Sequence, residues 1–148
     1  MMDPLRVAEL ERRLGYRFVD SLLLERALTH ASYANEHPPA ADHSRLAFLG
    51  DAALALVVAD RLLAEDPAAT VGVLTSGRAE LVTGARLARW ATELDLGPLL
   101  RLGRGEDQSG GRARDSILAS TLEAVLGAIY AEGGLEPLRA AVGRLAAW

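Results

Sequence analysis

The sequence predicts an all-α fold, on three observations. Ala and Leu, both strong helix formers, contribute 27 residues each to a chain of 148. Apolar side chains recur at helical spacing through most segments, and no segment shows the alternation of a strand. Capping residues, Pro and Gly divide the chain into pieces of helical length.

Asp3 followed by Pro4 starts a first helix running through Leu5 to Leu14, and Gly15 closes it. Asp20 caps a second, with Leu22, Leu23, Ala27 and Leu28 on one side, which runs out near His30 and Ala31; His37-Pro38-Pro39 is a loop. A long helix follows from Ser44 to about Glu65, carrying Leu46, Leu49, Ala53, Leu56, Val57 and Leu63, until Asp66-Pro67 stops it. The next pattern predicts one helix from Thr70 to Glu93 with Leu74, Leu81, Leu87 and Trp90 toward the core, weakened at Gly77 and Gly84. Residues 101–112 read as the longest irregular segment. Asp115 or Ser116 caps a helix from Ile117 to about Ala131, and Gly133-Gly134 separates it from a last one, Leu135 to Trp148. The expected total is about six to seven helices in one domain spanning 1–148.

Composition narrows the function. Half of the residues are hydrophobic and 24% are charged, which suits one globular domain with a full core. There is no Cys, so disulfide frameworks and thiolate metal sites drop out. No apolar run approaches the roughly 20 residues that cross a bilayer, and Met1 to Glu11 lacks the pattern of a signal peptide. No membrane partner is expected, and a cytoplasmic location is. All 16 basic residues are Arg and the formal charge is −4, so a nucleic-acid partner would have to be held by local patches.

Two acids stand out by isolation. Asp51 is the only ionisable side chain from Leu46 through Ala59, and Glu123 is the only charge between Ile117 and Ala131. An isolated carboxylate among apolar neighbours needs a donor, a cation or water. Such a pair reads either as carboxylates tied to amides or arginines, or as a catalytic or metal site.

The words around these acids are specific. They are Ala27-Leu28-Thr29-His30-Ala31-Ser32-Tyr33-Ala34-Asn35-Glu36, then Arg45-Leu46-Ala47-Phe48-Leu49-Gly50-Asp51-Ala52, then Leu100-Arg101-Leu102-Gly103-Arg104-Gly105-Glu106, and finally Ser116-Ile117-Leu118-Ala119-Ser120-Thr121-Leu122-Glu123-Ala124. In this order, over about Leu10 to Leu145, the chain resembles the catalytic domain of bacterial ribonuclease III. The resemblance implies an all-α endonuclease domain that forms a two-fold homodimer, lays double-stranded RNA across a valley between subunits, and hydrolyses phosphodiesters with Mg²⁺. At about 100° per residue, positions 44, 47 and 51 fall within about 60° of one another on a helix, and positions 120 and 123 also share a face. Carboxylates at those places could hold hard cations through oxygen while leaving room for water and phosphate.

This sequence keeps Asp51 and Glu123 as the catalytic and metal-ligating positions the resemblance implies, and departs from the pattern elsewhere. Ala47 stands where the family carries a glutamate, and Ser120 where it carries an aspartate. Ser44 and Val71 occupy the two flanking acidic positions. Mg²⁺ sites can be built from one or two carboxylates with water and phosphate, so weak, RNA-assisted binding is conceivable, but a two-metal cluster is much harder to assemble. Asp42 and Asp115 are the nearby acids that could substitute in part, Asp115 reading rather as a cap.

Phe48 reads as a core residue by composition; the resemblance places it, with Leu49 and Ala52, at the two-fold interface. Arg101, Arg104, Arg112 and Arg114 form the densest basic cluster and either meet RNA phosphates or pair with Glu106, Asp107 and Asp115. The glycines from 103 to 111 lack a P-loop word, so no nucleotide cofactor is expected. His30, His37 and His43 have no ligand spacing and read as loop or capping residues. The resemblance also implies that family members append a double-stranded-RNA-binding domain, which these residues do not contain.

The reading that follows is a homodimer binding structured or double-stranded RNA, with endonuclease activity lost or strongly impaired. Its alternatives are an active Mg²⁺-dependent endoribonuclease using Asp51 and Glu123, and a dimeric interaction module that no longer meets RNA.

Overall fold

The computed structural model describes residues 2–148, and among them the chain forms nine α-helices and two 3-10 turns, with no strand. In α1 (Pro4–Leu14) the Asp3 side chain accepts from the Leu5 nitrogen, and Gly15 ends the helix at φ 66°. Asp20 caps α2 (Ser21–Ala27) by accepting from the Leu22 nitrogen. The Arg101 nitrogen then donates to the Leu28 carbonyl at 2.8 Å and the His30 nitrogen to the Arg101 carbonyl at 3.0 Å. This bridge draws the backbone out of helical geometry, so α3 (Ala31–Glu36) restarts under its own cap, His30, whose Nδ1 accepts from the Ser32 nitrogen.

After α4 (Ser44–Glu65) the predicted single helix of residues 70–93 is two, α5 (Val71–Leu81) and α6 (Gly84–Glu93). The reason is Thr83: its hydroxyl accepts from the Arg86 nitrogen, an N-cap in mid-pattern with Gly84 at the first helical position. Of the four side chains predicted to face the core here, Leu87 and Trp90 are buried; Leu74 and Leu81 are half-buried, and α5 contains no buried residue. The segment predicted to be irregular is also ordered. It folds as α7 (Arg104–Gln108) followed by a 3-10 turn at Gly111–Ala113, with Glu106 and Asp107 near the α7 N-terminus, where negative charge suits the helix dipole. These short pieces account for the excess over the six to seven helices expected.

Helix α8 (Asp115–Gly133) is the centre of the molecule, packed by α2, α4, α6 and α9 (Leu135–Ala146). From Ile117 to Ile129 every residue of α8 is buried except Ser120 and Glu123. A helix apolar all round requires neighbours on every side, and each fully buried Leu contributes about 1.5–3 kcal/mol. The two interruptions therefore mark where that surround is open.

The closest approach is between α4 and α8. A Cβ on Gly50 would overlap the Glu123 carbonyl and lie 2.9 Å from the Gly127 nitrogen; one on Gly127 would overlap the Leu46 carbonyl. Glycine at both positions lets the two backbones touch, which sets the depth and register of the crossing. Among the described residues no helix is long and apolar enough to cross a membrane.

Candidate active site

The α4–α8 crossing brings Asp51 and Glu123 together. Glu123 is half-buried, and its carboxyl is pushed up to about 7, first by burial and then by a hydrogen bond and charge repulsion from Asp51. Asp51 is exposed rather than enclosed by apolar neighbours. The expectation of two buried carboxylates fails because the face of α4 that carries position 51 looks outward: Ala52 and Phe48 beside it are exposed too. One half-buried acid thus faces one solvated acid, and the neighbour's charge raises its affinity for a proton.

The remaining positions of the constellation supply no charge. Ala47, one turn before Asp51, and Ser120, one turn before Glu123, are both half-buried and lie on the same helix faces as those acids. Ser44 is exposed at the start of α4 and is bound to Asp42, whose Oδ1 accepts from the Ser44 nitrogen at 2.8 Å and the Ser44 hydroxyl at 2.6 Å. Those two bonds hold the Asp42 carboxyl below its usual range and commit it to the helix start. Asp115 is the exposed first residue of α8, where the position before it, Arg114, is the cap. Val71 begins α5 and is 77% exposed.

The donor set does not fit a two-ion cluster. Among the described residues no three His, Asp or Glu side chains converge as a cation site, and Ala47 and Ser120 bring no carboxylate to the crossing. Two carboxylates with water and phosphate amount to a weak single-ion site.

Three of the four arginines singled out are engaged within the chain. Arg101 pairs with Glu25 and donates to the Tyr33 hydroxyl at 2.8 Å. Arg112 is bidentate to Asp107, at 2.8 and 3.2 Å, and donates to the Gly97 and Leu100 carbonyls. Arg114 pairs with Glu106 and donates to the Ser109 carbonyl at 3.0 Å. Arg104 is exposed, and among the described residues its guanidinium makes no ion pair. These bonds fold residues 101–114 into an ordered arm.

The histidines cap and pack. His43 is 6% exposed: its backbone nitrogen donates to the Thr29 carbonyl at 2.8 Å, its Nε2 lies 3.5 Å from the Thr121 hydroxyl, and its Nδ1 has no partner. Burial and the nearby His30 ring, 5.9 Å away, lower its proton affinity. The Ser32 hydroxyl lies 2.8 Å from the His30 Nδ1 and accepts from the Gly103 nitrogen at 2.8 Å, joining the start of α3 to the start of α7.

Phe48 is 83% exposed, which overturns the core reading of this residue. Exposed Ala52, Leu56 and Leu63 continue its stripe along α4, with Leu49 half-buried alongside. A cavity of about 590 Å³ opens next to it, lined by Arg26, Ser44, Arg45, Leu46, Phe48 and Leu49. The sequence reading missed the pairing of Tyr33 with His37, the residue that follows α3, whose rings stack with centres 4.0 Å apart; their spacing of four residues was the available signal.

The family described as Ribonuclease-III-like matches residues 20–146. Ribonuclease 3 of Heliobacterium modesticaldum is 49% identical over 138 residues, covering 92% of this chain and 59% of that protein. Ribonuclease 3 of Alkalilimnicola ehrlichii is 50% identical over 136 residues, covering 92% and 58%. The chain thus spans somewhat under two thirds of the length of these relatives. The nuclease domain of ribonuclease III from Campylobacter jejuni, solved in a study of flexibility in the region involved in its dimer formation, superposes with a TM-score of 0.88 at 38% identity, over 94% of both chains.

Proposed function

The chain belongs to the ribonuclease III-like family, and from that premise we propose that it is a homodimer that holds double-stranded or structured RNA and cleaves it slowly or not at all. Residues 1–148 act in this reading as one nuclease-type domain, working in the cytoplasm. The observation that carries it is the state of the α4–α8 crossing. Asp51 and Glu123 face each other, while Ala47 and Ser120, one turn away on the same faces, offer no carboxylate. Halving the inner anionic ligands lowers the attraction for each cation and removes the geometry that orients a water for attack.

The partner surface rests on other observations. The exposed stripe from Phe48 through Ala52 and Leu56 to Leu63 is apolar and continuous along one helix, as a self-complementary two-fold contact requires. RNA is held through its backbone, with exposed Arg104 the cation of the arm that remains available; Arg101, Arg112 and Arg114 shape the arm rather than contact phosphate. A second reading, an active endoribonuclease, is favoured by the retained pair itself, since Asp51 and Glu123 could bind one Mg²⁺ when RNA phosphate completes its shell.

Incubating a labelled RNA duplex with the purified chain, in Mg²⁺, Mn²⁺ or chelator and beside an Asp51→Asn variant, decides between them. Retarded but intact duplex under all three conditions is the expected result. Metal-dependent products that vanish in the variant would establish the second reading instead.

A further inference from the structure

Three side chains form a column against α3. The Arg101 guanidinium lies 4.2 Å from the centre of the Tyr33 ring and donates to its hydroxyl at 2.8 Å. The His37 imidazole stacks on the same phenol, 4.0 Å between ring centres and 13° from parallel. Arg101 is fixed from behind by its ion pair with Glu25, and the His37 Nδ1 sits 3.1 Å from the Tyr33 carbonyl oxygen. Each member of the column is therefore restrained before any ligand arrives, while His37 itself is exposed.

Arg104 stands next to this platform. Its backbone nitrogen donates to both carboxylate oxygens of Glu36, at 3.0 and 3.1 Å, which ties the start of α7 to the residue preceding His37. Its guanidinium is exposed and makes no ion pair among the described residues. A flat, restrained, exposed ring, and an exposed arginine whose backbone is anchored to the residue before it, supply the two elements that single-stranded nucleotides use: a face for the base and a charge for the phosphate. The interior of an uninterrupted stem cannot use the ring, because each base there is already covered on both faces by its neighbours.

We infer that His37 is a stacking platform for an unpaired base, with Arg104 taking the adjoining phosphate, so that the chain prefers RNA stems interrupted by a bulge or loop to uninterrupted duplex. This rests on the RNA-binding reading above and adds to it a class of RNA.

The test compares two blunt-ended, loop-free RNA duplexes with the same ends, one fully paired and one carrying a single bulged adenosine, by fluorescence anisotropy in chelator, where nothing is cleaved. The bulged duplex is expected to bind about tenfold more tightly. His37→Ala should abolish that difference while leaving the fully paired duplex unchanged, and His37→Phe should retain it by restoring a flat ring. Arg104→Ala should weaken the bulged duplex and flatten its salt dependence. Equal affinities for the two duplexes, or a preference that survives His37→Ala, would overturn the platform and leave the RNA-binding reading standing. Failure of both duplexes to bind at low salt would overturn that reading, and the platform with it.

Discussion

The backbone carbonyl of Glu123 occupies the space that a Cβ on Gly50 would need. The same crossing that places Asp51 against Glu123 thus depends on an absent methyl group. Neither side can give way locally, because the obstruction is main chain on both helices. Gly50→Ala is expected to cost more than the about 1–3 kcal/mol typical of an overpacked core, measured by urea denaturation. Gly143→Ala, on the interior of α9 with nothing within 4 Å of its added Cβ, is the control: it should stabilise by about 0.5–1 kcal/mol through helix propensity. Equal effects of the two substitutions would mean that the crossing is not set by glycine contact.

Stability should fall as pH rises from about 4.5 to about 7. Glu123 has an ordinary value of 4.5 and is held at about 7 in the folded chain by burial and by Asp51. Below 4.5 the carboxyl is protonated in both the folded and unfolded states and contributes nothing. Between the two values the unfolded chain releases the proton that the folded chain retains, so unfolding is favoured progressively, and the loss is complete above 7. Denaturation midpoints recorded across that window should decline less in Glu123→Gln than in the parent. Parallel curves for the two proteins would rule out Glu123 as the source.

How much of this was legible in the sequence differs by level. Isolated caps such as Asp3, Asp20 and Thr70 mark helix starts that the structure reproduces, because a side-chain cap is a local interaction. Thr83 does the same and was hidden by apolar spacing that continues across it. The end of α2 was not readable, since it is imposed by Arg101, far along the chain. At the site, the isolation of Asp51 and Glu123 identified the pair, but not its environment. Whether a residue in an apolar run is enclosed depends on what packs on that face, and nothing local says that the Phe48, Asp51 and Ala52 side of α4 is left open. Likewise the arginine cluster was visible as a cluster, while its pairing with Glu25, Asp107 and Glu106 required the folded arm.

Phe48 gives a direct test of the two-fold contact. An aromatic side chain left 83% exposed on a stripe with Leu56 and Leu63 is costly in water and is expected to be covered by the same stripe of a second copy. Light scattering at micromolar concentration should report a dimer for the parent chain. Phe48→Glu should shift it to monomer, because burying a charge on the symmetry axis places two like charges face to face. Its far-ultraviolet dichroism should be unchanged, as the residue contributes little to the core of its own chain. A parent chain that is monomeric throughout would remove the interface from Phe48.

Restoring the missing carboxylates tests whether ligand loss limits cleavage. In the double variant Ala47→Glu with Ser120→Asp, each new acid sits one turn from a retained one, on a face already directed at the crossing. Four carboxylates then surround the space where two now face each other, and cation binding is the way to relieve their repulsion. Mg²⁺-dependent cleavage of duplex RNA should rise on the order of a hundredfold over the parent, the scale on which reactant positioning acts. The same variant should be less stable than the parent in chelator and regain that loss when Mg²⁺ is added, because repulsion among unpaired carboxylates is present only in the empty site. The two readouts separate the possibilities. Metal-dependent stabilisation without a gain in cleavage would mean that the cluster can be rebuilt but that ligand number is not what limits the reaction, and the account of impaired activity given above would fail.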